Sequence, residues 1–383
     1  MEKLITIPAP VDAHVHVRYP GFTHKEDWRT ASRAAVKGGI GTIFDMPNTK
    51  PATTTIELLK EKRLEAKNNS LVNFAFHFGA TSLNTDILNN ISNIPSVKLF
   101  MGSSTGDLLV ADFNDEMKIF KSTDKIITVH AEDEVIISRN SIKYNRSFEP
   151  SVHSKIRSNQ AALRAVENAI KLAEETNHKL VVAHVSTKNE IELIKKAKSR
   201  GVQVFCEATT HHLFLSSKDY KTFGNLIKVN PPVRSDSDQQ ALWDAISDGT
   251  IDFLGTDHAP HLLSEKSKPY LEAPAGIPGL ETFLPLLLNA VNEKRLSIDR
   301  LIDLTSRNQE RIYGFKNQAE VVVDLNRTEI LLKKDLQTKC EWSPWENIKL
   351  TGWPVKTIIN NHTMYDNGIF NLKYRGHEVK FNN

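Results

Sequence analysis

The sequence predicts an α/β chain whose core is eight parallel strands closed into a (β/α)8 barrel, with a small, mainly C-terminal β appendage. Three observations carry that expectation. Eight short apolar, β-branched runs alternate with helix-length segments. The alternation fills about 250 residues, the usual span of such a barrel. Metal-capable side chains recur at the C-terminal ends of the runs, where a barrel assembles its site.

The eight runs lie at 10–16, 40–45, 72–78, 96–100, 125–130, 179–185, 202–207 and 251–256. Between most of them the apolar spacing has the helical period, as over 159–176 and 189–199. Strands alternating with helices imply βαβ units and a parallel sheet. Rhythm alone fits an open, doubly wound sheet as well. Helical spacing resumes at 279–294 and at 298–314, the latter opening on Ser297 as N-cap. Beyond about 317 the pattern changes. Residues 319–325 and 355–370 read as short strands, with turns at Asn360-Asn361 and Asp366-Asn367-Gly368; irregular packing against the barrel is the alternative. The expected division is a barrel over 10–315 and a small β subdomain from 1–9 and 316–383.

Composition narrows the class. Of 383 residues, 40% are hydrophobic and 25% charged, which excludes disordered, collagen-like and coiled-coil chains. Forty-nine basic against 46 acidic residues leave a net charge of +3, too small to argue for nucleic acid or a membrane surface. Two cysteines, Cys206 and Cys340, give no disulfide framework and suit a reducing compartment. With neither a signal-peptide run nor a stretch of about 18 apolar residues, the expected location is the cytoplasm. The absence of a glycine-rich phosphate loop after a strand argues against an oxidoreductase.

The strongest local signal is Asp12-Ala-His14-Val-His16-Val-Arg18. Alternate residues of an extended chain share a face, so His14, His16 and Arg18 are expected to point together. Two imidazoles so spaced can grip one zinc or similar divalent ion; two exposed histidines on a surface strand are the plainer reading. His130 ends the run 126–129, His184 ends 180–183, and Asp257 ends 253–256, followed by His258-Ala-Pro-His261. Lys98 sits inside the apolar run 96–100. Burial would lower its pKa and free a neutral amine, which can take up carbon dioxide as a carbamate able to bridge two metals. Otherwise it snorkels to solvent.

These motifs, with Asp45-Met-Pro-Asn48-Thr, His130-Ala-Glu-Asp, Ala183-His184-Val-Ser, Asn230-Pro-Pro-Val-Arg and Thr256-Asp257-His-Ala-Pro-His261, stand in the order found in the dihydroorotases of the amidohydrolase superfamily. The resemblance runs from about 10 to 315. It implies the (β/α)8 barrel and the reversible cyclisation of N-carbamoyl-L-aspartate to L-dihydroorotate in de novo pyrimidine biosynthesis. It also implies two zinc ions. His14, His16 and Asp257 would hold one and His130 and His184 the other, with carboxylated Lys98 between them. Arg18, Asn48, Asn230 and His261 would bind substrate. A bridging hydroxide would attack the ring carbonyl, with Asp257 as general acid and base.

Three further expectations complete the reading. Ser103, Ser104 and Thr105, in the segment after the Lys98 strand, are candidate lid residues; a static loop is equally open. Glu207, at the end of the seventh run, either supports the site through hydrogen bonds or touches an extra metal. It opens Glu207-Ala-Thr-Thr-His211-His212, where the family usually has proline at the position of Thr210. A homodimer is expected by resemblance, and association with aspartate transcarbamoylase is a further partner reading. A hydantoinase or allantoinase is the nearest competing enzyme: by resemblance it would share the barrel and metal centre, but it would not need the Arg18–Asn48 carboxylate site.

Overall fold

A computed structural model describes residues 3–104 and 106–382. In chain order its strands are β1 (Leu4–Pro8), β2 (Val11–Val15), β3 (Thr42–Asp45), β4 (Asn73–Phe76), β5 (Phe78–Gly79), β6 (Val97–Phe100), β7 (Ile127–His130), β8 (Leu180–Val182), β9 (Val204–Thr209), β10 (Phe253–Gly255), β11 (Ala319–Ile330), β12 (Lys349–Ile359), β13 (His362–Asp366) and β14 (Ile369–Phe370).

Strands β2 to β10 form the barrel, and every pairing among them is parallel. β4 and β5 are one strand broken at His77. The His77 Nε2 lies 2.9 Å from the Ala13 carbonyl and its Nδ1 2.7 Å from Ser96 Oγ, while its own N–H donates to the Asp45 carbonyl of β3 at 3.0 Å. The ring closes where the His16 N–H donates to the His258 carbonyl at 2.8 Å. Side chains alternate between two environments. Val11, Ala13, Phe44, Ala75, Val181 and Phe253 fill the interior. Outside, Phe74 and Phe76 meet Trp28 edge-on at 5.7 and 5.6 Å. Trp28 opens the helix Trp28–Lys37, started by an Asp27 capping box.

Most helices begin and end on local signals. Helix Asn159–Thr176 starts at Ser158 and stops at left-handed Asn177. Helix Lys188–Ser199 starts with a Thr187–Glu190 capping box. The single helix expected over 298–314 instead runs as Ile298–Ile302, a wide turn at Asp303–Arg307, and Asn308–Tyr313, ending at Gly314 with φ 71°. Buried Gln309 explains the wide turn. Its amide donates to the carbonyls of Val11, Leu254 and Leu304, anchoring the helix under two barrel strands.

The second sheet is antiparallel, in the order β1-β11-β12-β13-β14. Both foreseen turns are present, with positive φ at Asn360, Asn361, Asn367 and Gly368, as two-residue hairpins demand. The sheet seats closely on the helix Phe283–Asn292. A Cβ on Gly352 would lie 2.6 Å from Leu288 Cβ. The chain leaves this sheet after Phe370. The Val379 N–H donates to the Phe74 carbonyl at 2.9 Å, and Phe381 meets Phe44 and Phe315 at 5.6 and 5.8 Å, under the barrel floor.

Candidate active site

Buried polar side chains crowd the C-terminal mouth of the barrel. His14 ends near the top of β2, His16 follows that strand, and Asp257 lies just past β10. Asp257 Oδ1 is 2.9 Å from His16 Nε2 and 3.3 Å from His14 Nε2. One ligand-capable atom from each lies within 4.8 Å of the others, and all three residues are buried. Two imidazoles and a carboxylate make a donor set for a divalent metal. Burial lowers His16 to about 4, leaving the neutral ring that ligation requires.

A second pair adjoins the first. His130 Nδ1 faces His184 Nε2 at 2.9 Å, and the His184 ring centroid is 5.3 Å from that of His14. Burial lowers both below the usual histidine range. Lys98 is wholly buried, and its Nζ has no hydrogen-bond partner. Burial lowers it to about 8, although Glu207 and Asp257 pull the other way.

Other residues hold these in place. Glu207 Oε2 lies 2.7 Å from His14 Nδ1 and accepts the His184 N–H at 3.0 Å. It therefore orients one imidazole and one backbone turn. Gly255 makes room for it, since a Cβ there would lie 2.2 Å from Glu207 Oε1. His16 Nδ1 is 2.7 Å from Asn48 Oδ1. Asp12 joins β2 to the end of β10 by accepting the N–H of Thr256 at 3.1 Å and its hydroxyl at 2.5 Å. Three site residues have left-handed backbones: Arg18 (φ 68°), His184 (φ 39°) and Asp257 (φ 46°). Each such conformation costs about 1–3 kcal/mol, and strain of this kind collects at functional sites.

Arg18, Asn48, Asn230 and Ser104 line a pocket with His16 and Asp257; Ala275 and Gly276 form another wall. The sequence places Arg18 on the strand face of His14 and His16, but the structure brings it to the pocket by another route. β2 stops at Val15, and the left-handed turn at Arg18 redirects the side chain. Its Nε donates to the Pro260 carbonyl at 3.1 Å and its Nη2 lies 3.0 Å from His261 Nε2. His261 stands behind Arg18, with Nδ1 3.0 Å from Lys25 Nζ. Asn230 Oδ1 lies 2.8 Å from His153 Nε2. Ser103 is tied down: Glu134 accepts its N–H at 2.7 Å, and Arg157 donates to its carbonyl at 2.7 Å. Thr105, the third candidate lid residue, lies outside the described residues.

Sequence reasoning missed Glu132, Arg157, Lys25 and His153. Glu132 Oε2 is 3.1 Å from His130 Nε2 and accepts from Arg157 at 2.5 Å. Burial opposes ionisation of Glu132, but Arg157 and His130 outweigh it and hold the carboxyl well below its usual range. Glu132 stood within the His130-Ala-Glu-Asp motif. Arg157 has no local signal, because only the fold brings it across from 25 residues away.

An amidohydrolase family profile matches residues 5–360. This chain belongs to the amidohydrolase family. It is 36% identical over 372 residues to the dihydroorotase of Halobacterium salinarum, spanning 94% of this chain and 86% of that protein. It is 36% identical over 388 residues to the dihydroorotase of Methanosphaera stadtmanae, spanning 97% and 88%. Against the multifunctional protein CAD of Squalus acanthias it is 34% identical, covering 96% of this chain but 15% of that protein. Among solved structures, the L-hydantoinase of Arthrobacter aurescens superposes with a TM-score of 0.94 at 28% identity, over 98% of this chain and 89% of that one. The chain is thus a hydrolase of cyclic amide C–N bonds on a (β/α)8 barrel. No helix among the described residues is long and apolar enough to cross a membrane.

Proposed function

We propose that this amidohydrolase interconverts N-carbamoyl-L-aspartate and L-dihydroorotate in de novo pyrimidine biosynthesis. The observation that carries the reading is the Arg18 guanidinium in the wall of the pocket that also holds His16 and Asp257. A guanidinium matches a carboxylate, and dihydroorotate is a cyclic amide that bears one. Burial lowers Arg18 to about 10, so it stays charged at neutral pH. Relatives called dihydroorotases support the same reading.

The residues fit a binuclear zinc centre. His14, His16 and Asp257 would hold one ion and His130 and His184 the other. Lys98, an orphaned buried amine, fits the bridging role once carboxylated. Bound there, two zinc ions would acidify a shared water and polarise the ring carbonyl. Arg18 and Asn48 would seat the substrate carboxylate, with Asn230 on the opposite wall and His261 steadying Arg18 from behind. Asp257 takes a proton from the attacking water and delivers it to the ring nitrogen as the C–N bond breaks. In the biosynthetic direction it withdraws the proton from the carbamoyl nitrogen. Of the candidate lid residues, Ser104 would cover the bound substrate from the pocket wall, with Ser103 held by Glu134 and Arg157 beside it.

The structural likeness to a hydantoinase favours a second reading, a hydrolase of neutral rings. Metal analysis with assays on dihydroorotate, hydantoin and allantoin tests both. Turnover of hydantoin alone would overturn the proposal. The proposal extends to a cytoplasmic homodimer, to association with aspartate transcarbamoylase, and to the division of the chain into a barrel over 10–315 and a subdomain from 1–9 and 316–383, of which 371–382 returns under the barrel floor.

A further inference from the structure

Lys228 and Lys266 are buried cations that no carboxylate among the described residues answers. Lys266 Nζ donates to the carbonyls of Lys228, Pro274 and Gly276 at 3.0, 3.0 and 2.9 Å. Lys228 Nζ donates to the carbonyls of Tyr270 and Ala273 at 2.7 and 2.6 Å and lies 4.3 Å over the Tyr270 ring. Three carbonyls around one nitrogen call for three N–H donors, which only the ammonium form supplies. Burial, with Lys228 and Arg18 close by, pushes the Lys266 ammonium well below its usual range; three carbonyl acceptors favour the charged form. Unpaired buried charge is costly enough to need a purpose.

The wall of the pocket supplies one. Three of the four consecutive carbonyls from Ala273 to Gly276 accept from an ammonium: Ala273 from Lys228, and Pro274 and Gly276 from Lys266; the fourth, Ala275, lies 3.1 Å from His261 Nε2. The Gly276 oxygen is thereby turned to an ammonium rather than left to repel an anion in the pocket that Ala275 and Gly276 line. Arg18 Nη2 lies 3.0 Å from the same His261 nitrogen, Lys25 Nζ lies 3.0 Å from the other, and Glu265 pairs with Lys25 at 3.0 Å. This end of the pocket therefore carries excess positive charge.

We propose that Lys266 and Lys228 are specificity-determining residues. They engage three carbonyls of the Ala273–Gly276 wall and place two unpaired positive charges behind it, so that the pocket selects cyclic amides bearing a carboxylate over neutral ones. This rests on the reading of the pocket given above. The test uses the zinc-loaded full chain, L-dihydroorotate against dihydrouracil as substrates, and orotate against uracil as inhibitors. For Lys266→Met, KM for L-dihydroorotate and Ki for orotate rise about tenfold or more, the scale of one removed nearby charge. The turnover number, zinc content and both constants for the neutral rings stay within about twofold. Equal losses for charged and neutral rings, or no loss, would overturn the proposal. Lys228→Met gives the same readout should Lys266→Met not fold, and Lys228→Arg restores the preference. A parent enzyme inert toward L-dihydroorotate would instead overturn the activity itself, before any variant is made.

Discussion

Asp257 has two duties that one substitution can separate. Its Oδ1 belongs to the His14–His16 donor group, and its carboxylate is the proton carrier of the proposed chemistry. Asparagine keeps an oxygen for the metal but accepts no proton at neutral pH. Asp257→Asn is expected to lower turnover by about 10²–10⁴ while zinc stays bound; near-normal turnover would remove the assigned role. Glu207 acts one step further out. Glu207→Gln loses the charge that orients His14, and metal affinity should fall roughly 10–100-fold in a chelator competition. Lys98 sets a pH dependence. Its amine, lowered to about 8, is protonated and unreactive below that value and neutral above it. Reconstitution of metal-free protein with zinc and bicarbonate should therefore improve as pH rises through about 8, read as zinc per chain. The metal-capable residues were legible because they end apolar runs, where ionisable side chains have no packing reason to be. Glu132 and Arg157 were not, because each gains its meaning only from the other.

Elements differ in how far local sequence determines them. The strand runs declared themselves because a barrel strand is buried on both faces, so few polar residues interrupt it. The break between β4 and β5 was hidden, since His77 sits in an apolar run and its partners are Ala13, on β2, and Ser96, just before β6. The helix expected over 298–314 likewise concealed its wide turn, which Gln309 imposes from under the barrel. Arg157, just past the short helix His153–Ile156, shows what one element does for others. It joins Glu132, and through it His130, to the carbonyl of Ser103. Arg157→Met would strand a buried carboxylate, at about 3–5 kcal/mol. The sign follows from the depressed pKa of Glu132. Its stabilisation is present above the unfolded value near 4.5 and is lost as pH falls through the lower folded value. The deficit of the variant should therefore be full at neutral pH and shrink on acidification. Urea unfolding of both proteins across that range checks it; a deficit independent of pH would show that the ion pair is not its source.

At the scale of the molecule, the barrel separates chemistry from closure. The mouth holds the strained, polar site, while the opposite end is apolar and needs a cover. Phe44 and Phe315 lie there, and the chain supplies Phe381 from its last residues to meet them, with Val379 pinned to β4 through Phe74. Nothing in the local pattern of 371–382 announced this, because its only reason is an aromatic floor laid down by residues far earlier in the sequence. The arrangement makes stability and activity separable. Phe381→Ala removes part of the floor contact and should cost about 1–3 kcal/mol, less than a fully enclosed aromatic because Phe381 is half-buried. Deleting 371–383 should cost more, since it uncovers Phe44 and Phe315 and withdraws the backbone pairing to β4. Both changes act at the end of the barrel remote from His14, Lys98 and Asp257. The expectation is a lower Tm in each variant, graded with the area uncovered, and kcat and zinc content near those of the parent well below that Tm. If zinc were lost from the truncated chain while it was still folded, β4 would be transmitting strain from floor to mouth, and the separation would fail at the strand that His77 interrupts.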